Sequence, residues 1–197
     1  MEVTVEQVKK LRDATGAGMM DAKKALVEAG GDVDKATELL RLAGVAKAEK
    51  KADRVAEAGA IEAYVHGGRI GVLVEVNCET DFVARTADFK TFVHDLAMHV
   101  AASNPTYVRP EDVPAAAVDK ETELVRQELQ QQGKPEAMYD KIMPGKLDKF
   151  YEQICLVRQP FVKDPDKTID QLTKELIGKL GENIVIRRFA RFELGQA

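Results

Sequence analysis

An acid and an aromatic ring stand side by side in Asn77-Cys78-Glu79-Thr80-Asp81-Phe82-Val83-Ala84-Arg85, just where an alternating apolar run ends. Ile70, Val72, Val74 and Val76 recur at every second position, the spacing of a half-buried strand, so Asp81 and Phe82 are expected where a strand gives way to a helix. A ring beside a charge at such a corner can probe a partner molecule. The same spacing suits a ring turned into the core, with Thr80 or Asp81 capping the next helix. Covalent chemistry has little to work with. No G-x-x-x-x-G-K-[ST] phosphate loop, G-x-S-x-G elbow or H-E-x-x-H pair occurs, and Cys78 has no histidine near in sequence to activate it. A spatial pairing of Cys78 with His66, His94 or His99 is the enzymatic alternative left open. No catalytic residue is assigned.

Methionines supply a second candidate contact. Within Met19-Met20-Asp21-Ala22-Lys23-Lys24-Ala25-Leu26, helical spacing gathers Ala22, Ala25, Leu26 and Ala29 on one side. Met20 then falls nearly opposite them and Met19 at the edge, so Met20 is expected in water, near Met19, Arg12 and Lys23. A flexible, polarizable side chain adapts well to a partner surface. A stray surface methionine is the plainer alternative.

The balance of the chain narrows the partner. With 197 residues, 45% hydrophobic and 31% charged, it is long enough for a solid core plus a small satellite domain. Its net charge of −4 argues against a general nucleic-acid binder and for a protein partner. Arg187, Arg188 and Arg191 beside Phe189 and Phe192 form the main basic cluster and carry the alternative of an RNA-binding accessory protein, without a recognisable base-stacking signature. His94 and His99, five apart, lie roughly 140° around a helix from each other, too far to share a metal, and the two cysteines form no C-x-x-C, so neither a metal nor a cofactor is expected. Scarce cysteine, no signal-like N-terminus and no run approaching about 20 apolar residues predict a cytoplasmic protein with no membrane contact.

Three short helices are predicted over residues 1–44. Thr4 and Gln7 have capping-box spacing, Gly16 and Gly18 separate the first two helices, and Gly30-Gly31 ends the second before Asp32 caps the third. Residues 45–57, rich in alanine and charge, read as a helical linker. From residue 58 onward an α+β core is expected. Ile61, Ala63 and Val65 form one strand, Gly67-Gly68 a two-residue turn, and Ile70–Val76 the return strand. Phe89, Phe92, Val93, Leu96 and Val100 then follow helical spacing and should pack across that hairpin, both phenylalanines as core. Prolines 105, 110 and 114 mark a loop before a helical stripe at Val118, Thr122, Val125 and Leu129. A further helix after Gly133-Lys134-Pro135 is expected to break at Pro144-Gly145. A short extended segment over 154–162, a helix over 168–180 and a long strand over 183–194 complete the chain.

Three blocks taken together resemble the bacterial elongation factor Ts family: Leu11–Leu26 with its Ala-Thr-Gly-Ala-Gly-Met-Met core, Thr80-Asp81-Phe82-Val83, and Gln159-Pro160-Phe161-Val162-Lys163-Asp164. They lie far apart and in the family's order. The likeness is strongest over 1–100 and 155–195 and weakest over 103–150, where Pro144 replaces the acidic residue usual in the family. The resemblance implies an α+β fold in three parts. Residues 1–44 would be a three-helix domain similar to ubiquitin-associated domains, 45–57 a helical linker, and 58–197 a core of antiparallel sheet and helices that also serves dimerisation. It implies exchange of guanine nucleotide on elongation factor Tu, engaged in its GDP and nucleotide-free forms, without covalent chemistry. In that scheme the head docks through Arg12, Met19, Met20 and Lys23. Thr80, Asp81, Phe82 and Val83 displace the partner's magnesium ion, with Phe82 as the wedge and Asp81 its polar aide. A chain with room for one core half is further implied to be a homodimer.

Overall fold

Thr4 opens the first helix with the reciprocal bonds its spacing predicts, its hydroxyl accepting from the Gln7 N–H at 3.2 Å while the Gln7 side chain accepts from the Thr4 N–H at 2.9 Å. The computed structural model describes residues 3–196. Helix α1 (Val5–Thr15) ends at Gly16, whose φ of +68° suits a left-handed cap and lets its N–H return to the Arg12 carbonyl at 2.7 Å. Helix α2 (Met19–Glu28) stops before Gly30 and Gly31, and the Asp32 carboxylate accepts from the Lys35 N–H at 3.1 Å to start α3 (Val33–Glu49). The three helices close on Val8, Leu11, Ala22, Ala25, Leu26 and Ala36, with Leu39 and Leu40 packed at the margin.

The stretch expected as a helical linker over 45–57 is helical only through Glu49, as the end of α3, and then turns. Tertiary bonds compete with helix continuation there. The Asn183 side-chain amide donates to the carbonyls of Ala52 and Arg54 at 3.2 and 2.8 Å, and the Lys51 ammonium donates to the Gly181 carbonyl.

Strands β1 (Ala58–His66), β2 (Ile70–Cys78) and β5 (Ile184–Glu193) form a three-stranded sheet in the order β1-β2-β5. Gly67 and Gly68, with φ of +56° and +69°, make the left-handed turn, closed by the Arg69 N–H donating to the His66 carbonyl at 3.0 Å. Arg69 also lies outside the strands, so the connection is one residue longer than the two expected. Between β2 and β5 in the chain come α4 (Asp81–Ala84), α5 (Ala87–Ser103), α6 (Ala115–Gln131), α7 (Tyr139–Ile154), the short antiparallel pair β3 (Pro160–Phe161) and β4 (Asp164–Thr168), and α8 (Ile169–Leu180). The fold is α+β, as expected.

Two compact units emerge from this order. The first gathers the chain up to Ala60 with Val76–Val93 and Gln171–Ile186; the second gathers Ile61–Glu75, His94–Asp170 and the chain from Arg187. Besides the head core, the first unit buries Val76, Cys78, Val83, Phe89, Ile184 and Ile186. The second buries Val72, Val74, Leu96, Val100, Leu129 and Leu156, and encloses His99.

Two expectations about individual residues need correction. Helix α7 runs through Pro144-Gly145 without a break. A proline inside a helix costs about 3 kcal/mol or more, and packing offsets it: α7 is held alongside α6, for example by Lys146, two residues on, donating to Glu128 at 2.8 Å. Phe89 is fully buried, but Phe92 is only half-buried, because it falls a quarter turn off the buried stripe formed by Phe89, Val93, Leu96 and Val100.

Candidate functional site

The corner after β2 is built on one turn of helix. Four residues cannot stabilise a helix by themselves, since nucleating the first turn is unfavourable by a factor of roughly a thousand, so α4 depends on what grips it. From within, the Thr80 hydroxyl accepts from the Val83 N–H at 3.4 Å, and the Thr86 hydroxyl donates to the Val83 carbonyl at 2.8 Å. Val83 and Ala84 are buried beneath it. Thr80, rather than Asp81, is therefore the cap.

A second grip comes from the turn between α8 and β5. One Glu182 carboxylate oxygen accepts from the Thr80 N–H at 3.0 Å and the other from the Thr80 hydroxyl at 2.6 Å, a length typical of a charge-assisted bond. In the reverse direction the Glu79 carboxylate accepts from the Asn183 N–H at 2.6 Å and lies 3.6 Å from the Arg54 guanidinium. The two residues that lead into the corner, Glu79 and Thr80, are thus both pinned to a segment about a hundred residues away in sequence.

What this support presents is a bare ring. Phe82 is 83% exposed, so the alternative of a core phenylalanine does not hold, and Thr80 and Asp81 just before it are exposed as well. Of the four corner residues only Val83 turns inward. The head residues are on the surface too. Met20 is 77% exposed and Met19 41%, Arg12 lies in the last turn of α1, and Lys23 is exposed one turn beyond Met19. Helical phase alone placed Met20 correctly, because Ala22, Ala25 and Leu26 are buried as the opposite face.

The enzymatic alternative loses its nucleophile. Cys78 is fully buried, its thiol donates to the Thr80 carbonyl at 3.2 Å, and burial, reinforced by the Glu182 charge, pushes its pKa up. Burial pushes the Cys155 thiol up to about 11. Each histidine is engaged elsewhere: His66 with the Tyr64 hydroxyl at 3.0 Å, His94 with Glu62 at 2.9 Å, His99 with Gln159 at 3.0 Å. Among the described residues no cluster of three or more His, Cys, Asp or Glu side chains is placed to hold a metal ion.

Two of the three arginines in the basic cluster are bound by the chain itself. Arg188 donates to Glu75 at 2.6 Å, while Arg191 donates to the Ala101 carbonyl at 3.3 Å and pairs with Glu193 at 2.8 Å. Sequence reasoning missed Glu182, Asn183 and Glu79. Nothing in their local spacing marks them, since their partners lie across the fold.

The sequence profile of the family described as Elongation factor TS matches residues 3–196. The protein named Elongation factor Ts from Acetivibrio thermocellus is 58% identical over 195 residues, covering 98% of this chain and 91% of that protein. Its namesake from Alkaliphilus oremlandii is 57% identical over 196 residues, covering 100% of this chain and 91% of its own. That from Caldanaerobacter subterraneus is 55% identical over 195 residues, with 98% of both chains covered. A match of this extent at this identity leaves one conclusion: the chain belongs to the elongation factor Ts family, among the elongation factors of translation.

Proposed function

We propose that this protein is a guanine-nucleotide exchange factor for elongation factor Tu, acting on the GDP form and stabilising the nucleotide-free form. The observation that carries the reading is the exposed Phe82 ring on a corner whose entry, Glu79-Thr80, is pinned to a distant turn. A large apolar group held rigidly in water loses little conformational entropy on entering a pocket and is the type of residue that dominates interfaces. Exchange needs only differential binding. If the factor prefers the nucleotide-free partner, linkage requires GDP to bind more weakly in the complex, and no covalent bond changes. Bound GDP is held partly through a magnesium ion, so a ring wedged near that ion, with Asp81 beside it, loosens the phosphate end. Thr80 and Val83 hold the wedge, and Arg12, Met19, Met20 and Lys23 of the three-helix domain dock on the partner's nucleotide-binding domain. The chain needs no cofactor for this and works in the cytoplasm. No helix among the described residues is long and apolar enough to cross a membrane.

The second unit offers a surface for self-association. Ile61 and Val65 of β1, Leu73 of β2, Phe192 of β5 and Leu194 just beyond it are large apolar side chains left exposed. The opposite face of these strands is occupied by α5, through Glu62 with His94 and Arg191 with the Ala101 carbonyl. Five such groups on one face exceed the scatter usual on a soluble surface, and a second copy of the chain is the occupant we assign. Phe192→Asp should then shift sedimentation equilibrium from dimer to monomer, and a variant that stays dimeric removes this face from consideration.

Release of a fluorescent GDP from purified elongation factor Tu, with and without this protein, tests the main reading. Acceleration without hydrolysis of GTP is expected; an unchanged rate overturns it. A filter-binding series with tRNA at rising salt tests the RNA alternative, which requires tight retention that falls steeply with salt.

A further inference from the structure

The turn Gly181-Glu182-Asn183 belongs to neither group of contact residues, yet it is bonded both to the entry of the corner and to the chain just after the head's third helix. Gly181, with φ of +79°, ends α8 in a left-handed cap whose N–H returns to the Ile177 carbonyl at 2.9 Å, and this sharp exit aims the next two side chains apart. Glu182 takes both donors of Thr80, the N–H at 3.0 Å and the hydroxyl at 2.6 Å. Asn183, buried at 3% exposure, takes the other side: its N–H donates to Glu79, and its side-chain amide donates to the carbonyls of Ala52 and Arg54, just beyond the helix that ends the head. Lys51 closes the set by donating to the Gly181 carbonyl.

We infer that Glu182 is a positioning residue for the exchange corner, locking Thr80 so that Phe82 is held in place relative to the docking head, with Asn183 bracing the head side of the same turn. The inference rests on the exchange reading above. Its physical basis is the shared hydroxyl. Thr80 Oγ1 donates to Glu182, which fixes its rotamer, and in that rotamer its lone pair meets the Val83 N–H and caps α4. Removing the carboxylate frees the hydroxyl to rotate and releases the Thr80 N–H, so a helix of one turn loses the grip its own length cannot replace. Phe82 itself makes no bond to Glu182; the effect passes through Thr80.

Exchange rate on elongation factor Tu is titrated against factor concentration for the unsubstituted protein, Glu182→Ala, Glu182→Gln, Phe82→Ala and the double variant Glu182→Ala with Phe82→Ala. Glu182→Ala should lower the saturating rate roughly tenfold with the half-saturating concentration unmoved, because the docking residues stand on their own core. Glu182→Gln should restore most of that rate, since its amide oxygen can accept from the Thr80 N–H while its amide nitrogen donates to the hydroxyl. The double variant should be no slower than Phe82→Ala alone, as expected of a residue acting through the ring. Amide hydrogen exchange of the free protein should show Val83 and Ala84 losing protection in Glu182→Ala and keeping it in Glu182→Gln.

Unchanged saturating exchange in Glu182→Ala, alongside loss in Phe82→Ala, overturns the positioning role. So does a double variant in which the two losses multiply. Normal exchange in Phe82→Ala overturns the wedge reading instead, and the brace is then judged by amide protection, whose persistence in Glu182→Ala refutes it.

Discussion

The head and the corner expose apolar side chains to nearly the same degree, Met20 at 77% and Phe82 at 83%, but different forces hold them up. Met20 rides on a ten-residue helix that rests on its own small core of Leu11, Ala22, Ala25 and Leu26, all supplied from within about 30 positions. Phe82 rides on four residues whose anchor, Glu182, lies 102 positions away. The head is therefore a local structure and the corner a tertiary one. A change to sequence near Phe82 can leave its geometry intact, whereas a change to a distant turn can remove it.

The contrast can be tested hardest in the head core. Leu26→Ala removes a fully buried side chain and should cost about 2–5 kcal/mol, with the loss of amide protection concentrated in α1, α2 and the first turns of α3. If Val83 and Ala84 lose protection to the same extent, the two regions are not separately supported. Phe82→Ala sharpens the contrast from the other end. Truncating an interface aromatic typically costs about 2 kcal/mol or more, so the saturating exchange rate should fall roughly 30-fold while the melting curve shifts by less than the equivalent of about 0.5 kcal/mol. A large loss of stability would show that the ring packs against its own protein.

Smaller effects separate docking from support. Met20→Ala should raise the half-saturating concentration several-fold, about 1 kcal/mol, without lowering the saturating rate. A fall confined to the saturating rate would move Met20 from docking to the exchange step. Thr4→Ala removes a cap whose bonds are all local and should cost about 1 kcal/mol in stability with both exchange parameters unchanged. Thr4 and Thr80 are the same residue type in the same role, so any loss of exchange here would erase the distinction between local and tertiary capping.

The second unit provides a control by acid. His99 is fully buried, its Nδ1 accepts from the Val162 N–H at 3.3 Å, and its Nε2 faces the Gln159 side-chain oxygen at 3.0 Å, so it is held as the neutral Nε2–H tautomer. Burial lowers its pKa, partly offset by the Gln159 bond. Below the ordinary value of about 6.5 the unfolded chain takes up a proton that the folded chain resists, so stability is complete above that pH and declines as pH falls from there toward the lowered folded value. The melting temperature should drop between pH 7 and pH 5, and His99→Gln should flatten that slope. An unchanged slope would mean that other groups govern it.

Spacing read from the chain was enough for the head, whose cap bonds are short-range, but it missed the short strand β4 and broke α7 at Pro144-Gly145. Thr4 with Gln7, Gly16, Gly30-Gly31 and Asp32 named the head's caps because a cap bond spans three or four residues, and helical phase alone put Met20 in water. The alternation from Ile70 to Val76 located the strand and hence the corner, but left Phe82 either inside or outside. Period-two spacing likewise gave β1 its pairing but not its exposure, and Ile61 and Val65 turned out to face water while Glu62 and Tyr64 face α5.

Tertiary structure decided the questions whose answers depend on residues far apart. Only the folded chain brings Glu182 to Thr80 and Asn183 to Glu79 at the entry to the corner, and only its packing leaves the Phe82 ring exposed. Only folding ends the third helix at Glu49 by giving its following carbonyls another donor, and only packing beside α6 carries α7 through Pro144. Local preferences are worth a few tenths of a kcal/mol for most residues and about 3 kcal/mol for a proline inside a helix, whereas each buried or charge-assisted bond across the fold is worth about one or more. One distant partner therefore outweighs an ordinary preference, and several together with packing outweigh Pro144.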